Sequence, residues 1–199
     1  MVHLSKIYTR SGDDGSTGLG DGSRRPKHDL RIAAFGTVDE TSSAIGVALA
    51  HLESGNPRHR ALAEVLRNVQ NDLFDVGADL CVPGEGGERL RIRPLYTERL
   101  EGWIDEHNAR LKPLNSFVLP GGDPGAAWLH LARTVCRRAE RSVCRLAEVA
   151  AEELNPEVVR YLNRCSDLLF VLARSANNDG EADVLWRPGE AQEDNEAGG

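Results

Sequence analysis

Residues 124–154 read PGAAWLHLARTVCRRAERSVCRLAEVAAEEL, with no proline or glycine after Gly125. This run predicts one long α-helix over about Pro124–Leu154. Four further helices are predicted. One begins at Thr37 and ends at Gly55-Asn56-Pro57, and the others extend over about Arg58–Leu80, Leu95–Leu111 and Pro156–Asn178. Five helices with short connections predict an all-α fold, a five-helix up-and-down bundle preceded by a glycine-rich N-terminal loop.

Local signals refine this prediction. Thr37 has Glu40 three residues later, the capping-box pattern that starts a helix. In the second helix, the apolar residues predicted to face inward are Leu62, Val65, Leu66, Val69, Leu73, Phe74 and Val76. No sheet is predicted, because Phe117–Leu119 is too short to seed one.

Composition narrows the class of protein. Hydrophobic residues make up 40% of the 199 residues and charged residues 28%, which excludes a disordered chain and a membrane protein. The net charge of −7 argues against a nucleic-acid-binding surface. With no signal-peptide core, we expect a cytoplasmic protein whose four cysteines are small buried hydrophobes. No His-Glu-x-x-His motif is present, and no metal ligands are assigned.

The first residues differ from the helical part. We expect residues 1–27 to form a nucleotide-binding loop within a single domain, 28–180 the helical bundle, and 181–199 a mobile acidic tail. Residues 8–22 read YTRSGDDGSTGLGDG and are followed by Arg24, Arg25 and Lys27. Glycines and hydroxyl groups at this density favour phosphate binding, although no P-loop or dinucleotide motif is present. A flexible arm stays an alternative interpretation.

An arginine ladder runs along the long helix: Arg133, Arg137, Arg141 and Arg145 are spaced four residues apart. Side chains at this spacing share one helix face, where like charges repel. Either acids from a neighbouring helix or subunit neutralise this face, or it binds a polyanion, because guanidinium groups fit phosphate oxygens. The spacing alone does not decide between the two.

Polar residues also interrupt apolar helical stretches at Asp39 and at Asn163. A buried Asp needs a partner, and an arginine of the ladder is a candidate. Capping by Asp39 and an interhelical hydrogen bond from Asn163 are the structural alternatives. Since no Gly-x-Ser-x-Gly motif or Cys–His pair is found, an enzyme of this sequence would supply positioning and electrostatics rather than a nucleophile.

Six strings occur in an informative order: KIYTRSGDDGSTGL at 6–19, RPK at 25–27, GTVDE at 36–40, FVLPGG at 117–122, CRRAER at 136–141 and YLNRCSD at 161–167. Together they resemble the PduO-type ATP:cob(I)alamin adenosyltransferases over about residues 4–178. Ser11 and Ser16 stand where that family commonly has Thr, and Cys165 stands where Leu is usual. Both serines keep a hydroxyl group, so these departures leave the expected activity intact.

The resemblance implies a homotrimer with active sites between subunits. It implies that ATP is held by Thr9, Arg10, Ser11, Gly12, Thr17, Gly18 and Lys27 of one subunit and by Arg137, Arg138, Glu140, Arg141 and Asn163 of its neighbour. It further implies that Asp39 pairs with Arg133 across the interface. Phe117 would lie under the corrin ring and exclude the lower axial ligand of cobalt. Arg137, Asp39, Arg133 and Phe117 are the expected catalytic set.

The implied reaction is attack of cobalt(I) on C5′ of ATP, which gives adenosylcobalamin and triphosphate. ATP with Mg²⁺ and cobalamin are the expected co-substrates, and a cobalamin reductase and an adenosylcobalamin-dependent enzyme are possible partners. The sequence also permits a non-catalytic ATP- or corrinoid-binding delivery or sensor protein, and a purely structural helical module.

Overall fold

The computed structural model describes residues 7–53, 55–84, 87–150 and 154–189. Five helices form the body of this part of the chain: α1 (Leu30–His51), α2 (Pro57–Leu80), α3 (Pro94–Asn108), α4 (Pro124–Ala150) and α5 (Glu157–Ala176). The predicted all-α helical bundle is confirmed. No helix within the described ranges is both long and apolar enough to span a lipid bilayer.

Helix α4 lies between α1 and α5 and packs on both. Its buried stripe includes Ala132, Cys136 and Ala139, and α1 buries Ala34 and Ala48. Small side chains let helix axes approach closely, which a stripe of leucines would prevent. Helices α1 and α4 run antiparallel, because the start of α4 meets the end of α1: a Cβ atom at Gly125 would lie 2.5 Å from Leu52 Cδ2. The face of α4 opposite this stripe is therefore fixed toward solvent.

The start of the first helix was predicted wrongly. Helix α1 begins at Leu30, and the Asp29 carboxylate accepts a hydrogen bond from the Arg31 backbone N–H at 2.8 Å. Thr37 lies inside the helix, where its hydroxyl donates to the Ala33 and Ala34 carbonyls. Threonine can satisfy its hydroxyl within a helix as well as at its start, so a capping-box pattern also occurs mid-helix.

Two predictions of burial also fail. The Phe74 side chain is 70% exposed, whereas its neighbours Leu73 and Val76 are buried. Of the cysteines, Cys136 and Cys165 are buried, but Cys144 is exposed. A hydrogen bond with Cys165, together with burial, raises the pKa of the Cys136 thiol well above its ordinary value. The Cys136 thiol therefore stays protonated at physiological pH.

A small hairpin precedes the bundle and was not predicted. Strand β1 (Ser16–Gly18) pairs antiparallel with β2 (Arg24–Pro26). Between them, Leu19 is buried, and the Gly20 N–H donates to the Cys81 carbonyl at 2.9 Å, just beyond α2. A Cβ atom at Gly20 would lie 2.8 Å from Val82 Cγ2, so only glycine fits this contact. The hairpin is thus attached to the C-terminal end of α2.

The segment after α5 also pairs with the bundle. Val118 and Leu185 form an antiparallel bridge, and the Leu119 N–H donates to the Val184 carbonyl at 2.8 Å. Val184 and Trp186, which belong to the predicted tail of residues 181–199, are hydrogen-bonded to the loop before α4. This pairing joins positions far apart in sequence, which local composition does not reveal. Residues 190–199 of the predicted tail lie outside the described residues.

Asp79 joins three segments at one end of the bundle. Its side chain is 1% exposed and accepts hydrogen bonds from Arg91 Nη1 at 2.6 Å, the Ile92 backbone N–H at 2.7 Å and Asn155 Nδ2 at 2.7 Å. A buried carboxylate is stable only with such partners. It therefore ties the end of α2 to the start of the α3 region and to the turn before α5.

We expect Asp79→Ala to lower the free energy of unfolding by about 3–5 kcal/mol, the cost of breaking a buried ion pair. Removal of the carboxylate takes away the shared acceptor of all three donors. Urea unfolding followed by circular dichroism measures the change. Glu64→Ala on the exposed face of α2 is the matched control and should change stability by less than about 0.5 kcal/mol. Equal effects of the two substitutions would contradict the role of Asp79.

Candidate active site

A polar cluster lies where α4 and α5 meet at the surface. Asn163 Nδ2 donates to Glu140 Oε1 at 2.9 Å. Arg164 donates to Asn163 Oδ1 at 3.3 Å and to Glu101 Oε1 at 2.9 Å. The structure therefore brings together Glu140 and Asn163, which the sequence placed in one site, and adds Arg164, which it missed. Arg164 follows Asn163 directly in the chain, but only the fold reveals their hydrogen bond.

The arginines beside this cluster differ in their partners. Arg138 pairs with Glu40 of α1 on the exposed surface. Arg137 and Arg141 are also exposed, and Arg141 Nη1 donates to the Arg137 backbone carbonyl at 3.2 Å. Among the described residues, no carboxylate pairs with Arg137, Arg141 or Arg145. An acid of a neighbouring helix thus neutralises Arg138. The guanidinium groups of Arg137, Arg141 and Arg145 stay exposed on α4 without a carboxylate partner among the described residues.

Arg133, the first member of the ladder, is in a different environment. Its side chain is partly buried, and its Nε is buried without a hydrogen-bond partner. Burial lowers the pKa of Arg133, and the positive charge of Arg137 lowers it further. A buried N–H donor without an acceptor is costly. The described part of this single chain therefore provides no hydrogen-bond acceptor for Arg133 Nε.

Asp39 borders an apolar groove between α1 and α2 of about 450 Å³. Its lining comprises Phe35, Gly36, Val38, Asp39, Ser42, Leu73, Phe74, Gly77, Ala78 and Cys81. The Asp39 carboxylate is exposed and makes no ion pair with Arg133 or any other described residue. Among the described residues of one chain, Asp39 and Arg133 are thus opposite charges that form no ion pair.

The predicted nucleotide loop is an ordered hairpin in which its candidate residues lie close together. Thr9 and Ser11 share a hydrogen bond at 2.8 Å, and Arg10 adopts a left-handed backbone with φ 60°. A Cβ atom at Gly12 would lie 3.2 Å from Lys27 Nζ, so the lysine crosses directly over this glycine. Thr17 and Gly18 face Arg25 and Arg24 in the strand pair.

Arg24, which the sequence indicated only as a basic residue after the glycine-rich string, holds the hairpin together. Its guanidinium donates to the Ser11 carbonyl and to Ser16 Oγ, and it lies 3.6 Å from Asp14 Oδ1. Hydrogen bonds from the Ser16 backbone and hydroxyl lower the pKa of Asp14, and Arg24 adds to this. Because Arg24 is occupied within the loop, Lys27 is the cation that faces Gly12.

The two groups of candidate residues are apart in one chain. Leu30, at the start of α1, lines the same small cavity as Leu146 near the end of α4. Arg137 is nine residues earlier in α4, about 13 Å along the axis. Across residues 7–53, 55–84, 87–150 and 154–189, no hydrogen bond or ion pair joins the loop residues 9–18 or Lys27 to the α4–α5 cluster. Within the described residues, the two groups therefore lie on separate parts of one chain.

Phe117 lies in the loop before α4, and its side chain is 76% exposed. Its ring contacts that of Trp186, with 6.0 Å between centroids and a tilt of 50°. Exposed apolar patches are typical of binding surfaces, so this aromatic pair is a candidate for one.

A metal site made by the protein alone is not evident. In the described part of the chain, no group of three or more His, Cys, Asp or Glu side chains is placed to hold a metal ion. The two acids nearest the arginines, Glu40 and Glu140, are engaged by Arg138 and Asn163.

Comparison with known proteins gives a consistent result. The sequence model of the family "Cobalamin adenosyltransferase" matches residues 7–176. A corrinoid adenosyltransferase of Mycobacterium tuberculosis (strain H37Rv) is 54% identical over 191 residues, covering 94% of this chain and 96% of that protein.

Solved structures agree with the sequence comparison. A phenylalanine-to-histidine variant of the PduO-type ATP:corrinoid adenosyltransferase from Lactobacillus reuteri, complexed with cobalamin and ATP, superposes with a TM-score of 0.84 at 35% identity, covering 92% of this chain and 97% of that one. An arginine-to-lysine variant of that enzyme, complexed with ATP, gives a TM-score of 0.81 at 36% identity, covering 91% and 100%.

Proposed function

The chain belongs to the cobalamin adenosyltransferase family, and from this premise we propose that it transfers the 5′-deoxyadenosyl group of ATP to the cobalt of cob(I)alamin. The observation that carries the proposal for this chain is the exposed set Arg137, Arg141 and Arg145 on α4, which pairs with no carboxylate of the described residues and lies beside the Glu140–Asn163 hydrogen bond. Such a surface suits the triphosphate of ATP, because guanidinium groups bind phosphate oxygens in a planar fork.

The chemistry requires little from side chains. The electron pair of cobalt(I) forms the cobalt–carbon bond at C5′, while the C5′–oxygen bond breaks and its electrons leave with triphosphate. Because cobalt(I) is itself the nucleophile, the reaction needs no nucleophilic side chain. It also needs no proton transfer and therefore no general base. Negative charge grows on the leaving group, and the task of the protein is to stabilise that charge. Arg137 and Lys27 are the cations that we assign to it.

We place the ATP site between two subunits of a trimer. One subunit would supply Thr9, Arg10, Ser11, Gly12, Thr17, Gly18 and Lys27, and its neighbour Arg137, Arg138, Glu140, Arg141 and Asn163. The separation of these groups within one chain supports this arrangement. The unpaired Asp39 and the unpartnered Arg133 Nε also support it, because each would supply what the other lacks.

Phe117 is assigned to the lower face of the corrin ring. Its exposed ring offers an apolar surface and no ligand atom for cobalt. Occupying the lower axial position with this ring would leave cobalt(II) four-coordinate and easier to reduce. Phe117 would therefore act before the transfer step, when cobalt(I) is formed.

Mg²⁺ would accompany ATP rather than occupy a preformed protein site. Mg²⁺ prefers oxygen ligands and keeps several waters, so phosphate oxygens can hold it with few protein contacts. A cytoplasmic location, a cobalamin reductase and an enzyme that receives the product stay predictions from the sequence.

The proposed function is tested by incubating the purified protein with MgATP and chemically reduced cobalamin. We expect adenosylcobalamin and triphosphate in equal amounts, followed by the absorption spectrum of the corrinoid and by phosphate analysis. Binding of ATP, seen as a rise in melting temperature, without product would indicate a delivery or sensor protein instead. Failure of both ligands to bind would indicate a structural module.

Arg137→Lys separates catalysis from binding. Lysine keeps the charge but loses the planar fork, so ATP affinity should fall little. Because the triphosphate gains charge in the transition state, we expect kcat to fall by about 100-fold or more. Steady-state kinetics with saturating cob(I)alamin measures both constants.

Arg145→Lys is the matched control. Arg145 is exposed on the same helix, two turns from Arg137 and beyond the Glu140–Asn163 hydrogen bond. Its replacement should leave kcat and KM nearly unchanged. Normal turnover by Arg137→Lys, or equal damage from Arg145→Lys, would make the ladder structural.

Asp39→Asn tests the subunit arrangement. Removing the proposed partner of Arg133 leaves a partly buried guanidinium without a counter-charge, so we expect the dissociation constant of the trimer to rise by roughly 100-fold. Sedimentation equilibrium measures it. Glu40→Gln is the control, because Glu40 pairs with Arg138 within its own chain and should not affect assembly. Unchanged assembly and turnover in Asp39→Asn would rule out the pairing.

A further inference from the structure

Residues 183–186, in the segment that follows α5, lie alongside the loop that carries Phe117, and we call them the strap. The Trp186 N–H donates to the Phe117 carbonyl at 2.8 Å, and the Trp186 carbonyl accepts from Ser116 Oγ at 2.6 Å. With the bridge between Val118 and Leu185, these bonds fix the backbone register of the two segments. Trp186 is therefore held directly opposite Phe117.

The strap is anchored by buried charges. The Asp183 side chain is 3% exposed and accepts from Arg174 Nε at 2.8 Å and from Asn177 Nδ2 at 3.1 Å. Asn177 also donates to the Gly121 carbonyl and accepts from the Asp123 N–H at 2.9 Å. One asparagine at the end of α5 thus binds both the strap and the Phe117 loop.

Backbone conformation tightens this junction. Gly122 has φ of 94°, and a Cβ atom there would overlap the Asn177 amide. Glycine alone allows both the left-handed backbone and the close approach. The position of Phe117 Cα relative to the strap is therefore determined by packed, buried groups.

The side chain of Phe117 has much less support than its backbone. Its ring is largely in solvent, and within the described residues its one aromatic contact is the ring of Trp186. A phenylalanine ring free of contacts would sample several staggered rotamers. The tilted Trp186 ring, with its centroid 6.0 Å from that of Phe117, occupies part of the space that these rotamers would sweep.

We propose that Trp186 is a positioning residue for the reaction: it holds the Phe117 ring in the orientation that meets the lower face of the corrinoid. This inference rests on the proposed function of Phe117. Trp186 contacts the Phe117 ring directly, whereas within the described part of one chain the strap makes no hydrogen bond or ion pair with the α4–α5 cluster or the hairpin.

The test compares two starting states of cobalt in four proteins: the unaltered enzyme, Trp186→Ala, Phe117→Ala and the double variant. We expect Trp186→Ala to slow adenosylation from cob(II)alamin with a chemical reductant by roughly two- to tenfold, the range that one aromatic contact supports. From pre-reduced cob(I)alamin the fall should be smaller. KM for ATP should not change.

The double variant provides the decisive measurement. If Trp186 acts through Phe117, adding Trp186→Ala to Phe117→Ala should cause no further loss. Trp186→Phe, which retains a ring, should restore most of the rate. Additive losses, or equal losses from both cobalt states, would overturn the proposal and indicate direct contact of Trp186 with the corrinoid or a general effect on the fold.

Two controls keep the outcome clear. Trp103→Ala removes the same side chain from α3, where Trp103 contacts Arg99, and should not change the ratio of the two rates. Thermal unfolding of each variant reports loss of fold, and Trp186→Leu replaces Trp186→Ala if the latter unfolds. If Phe117→Ala alone leaves this ratio unchanged, the assigned role of Phe117 fails; if it lowers the ratio and Trp186→Ala does not, only the role of Trp186 fails.

Discussion

The close contact of α4 with α1 and α5 is the constraint on which the rest of the structure depends. Alanine and cysteine side chains along one face of α4 allow this contact, and they are fully buried. Because that face points into the core, the polar residues on the opposite face point toward solvent. The arginines are held on a rigid helix rather than on a loop, which gives a charged site geometric precision.

The same packing distributes the charges of α4 among different partners. Glu40 reaches Arg138 from α1, and Asn163 reaches Glu140 from α5. These two contacts give one cation and one anion of α4 a partner on a neighbouring helix. Arg137 and Arg141 remain exposed beside them, whereas Arg133 is withdrawn into a partly buried position. The regular ladder is thus divided between two environments, one exposed and one partly buried, which the spacing of four residues does not reveal.

Sequence patterns predicted the features that depend on residues close together in one helix, above all the helix bounds. The bounds of α2, α3 and α5 were close because proline, asparagine and apolar periodicity act locally. Phe74 was misplaced because an apolar residue next to a buried stripe looks the same whether it faces the core or a groove. Arg24, Arg164 and Trp186 were missed because their partners are loop or neighbouring-helix groups that only the folded chain brings near. The two halves of the proposed ATP site came from family resemblance, since no helical period connects a glycine-rich hairpin with a distant helix.

The ion pair between Arg174 and Asp183 has a consequence for how related chains can vary. It makes the folded body end at the strap rather than at the last turn of α5. Arginine at 174 is nearly inaccessible, so it is tolerable only while an acid follows nine positions later. A descendant that lost the strap would have to replace this arginine with a neutral residue at the same time. The two positions are therefore expected to covary during evolution, and a lineage with one but not the other should be rare.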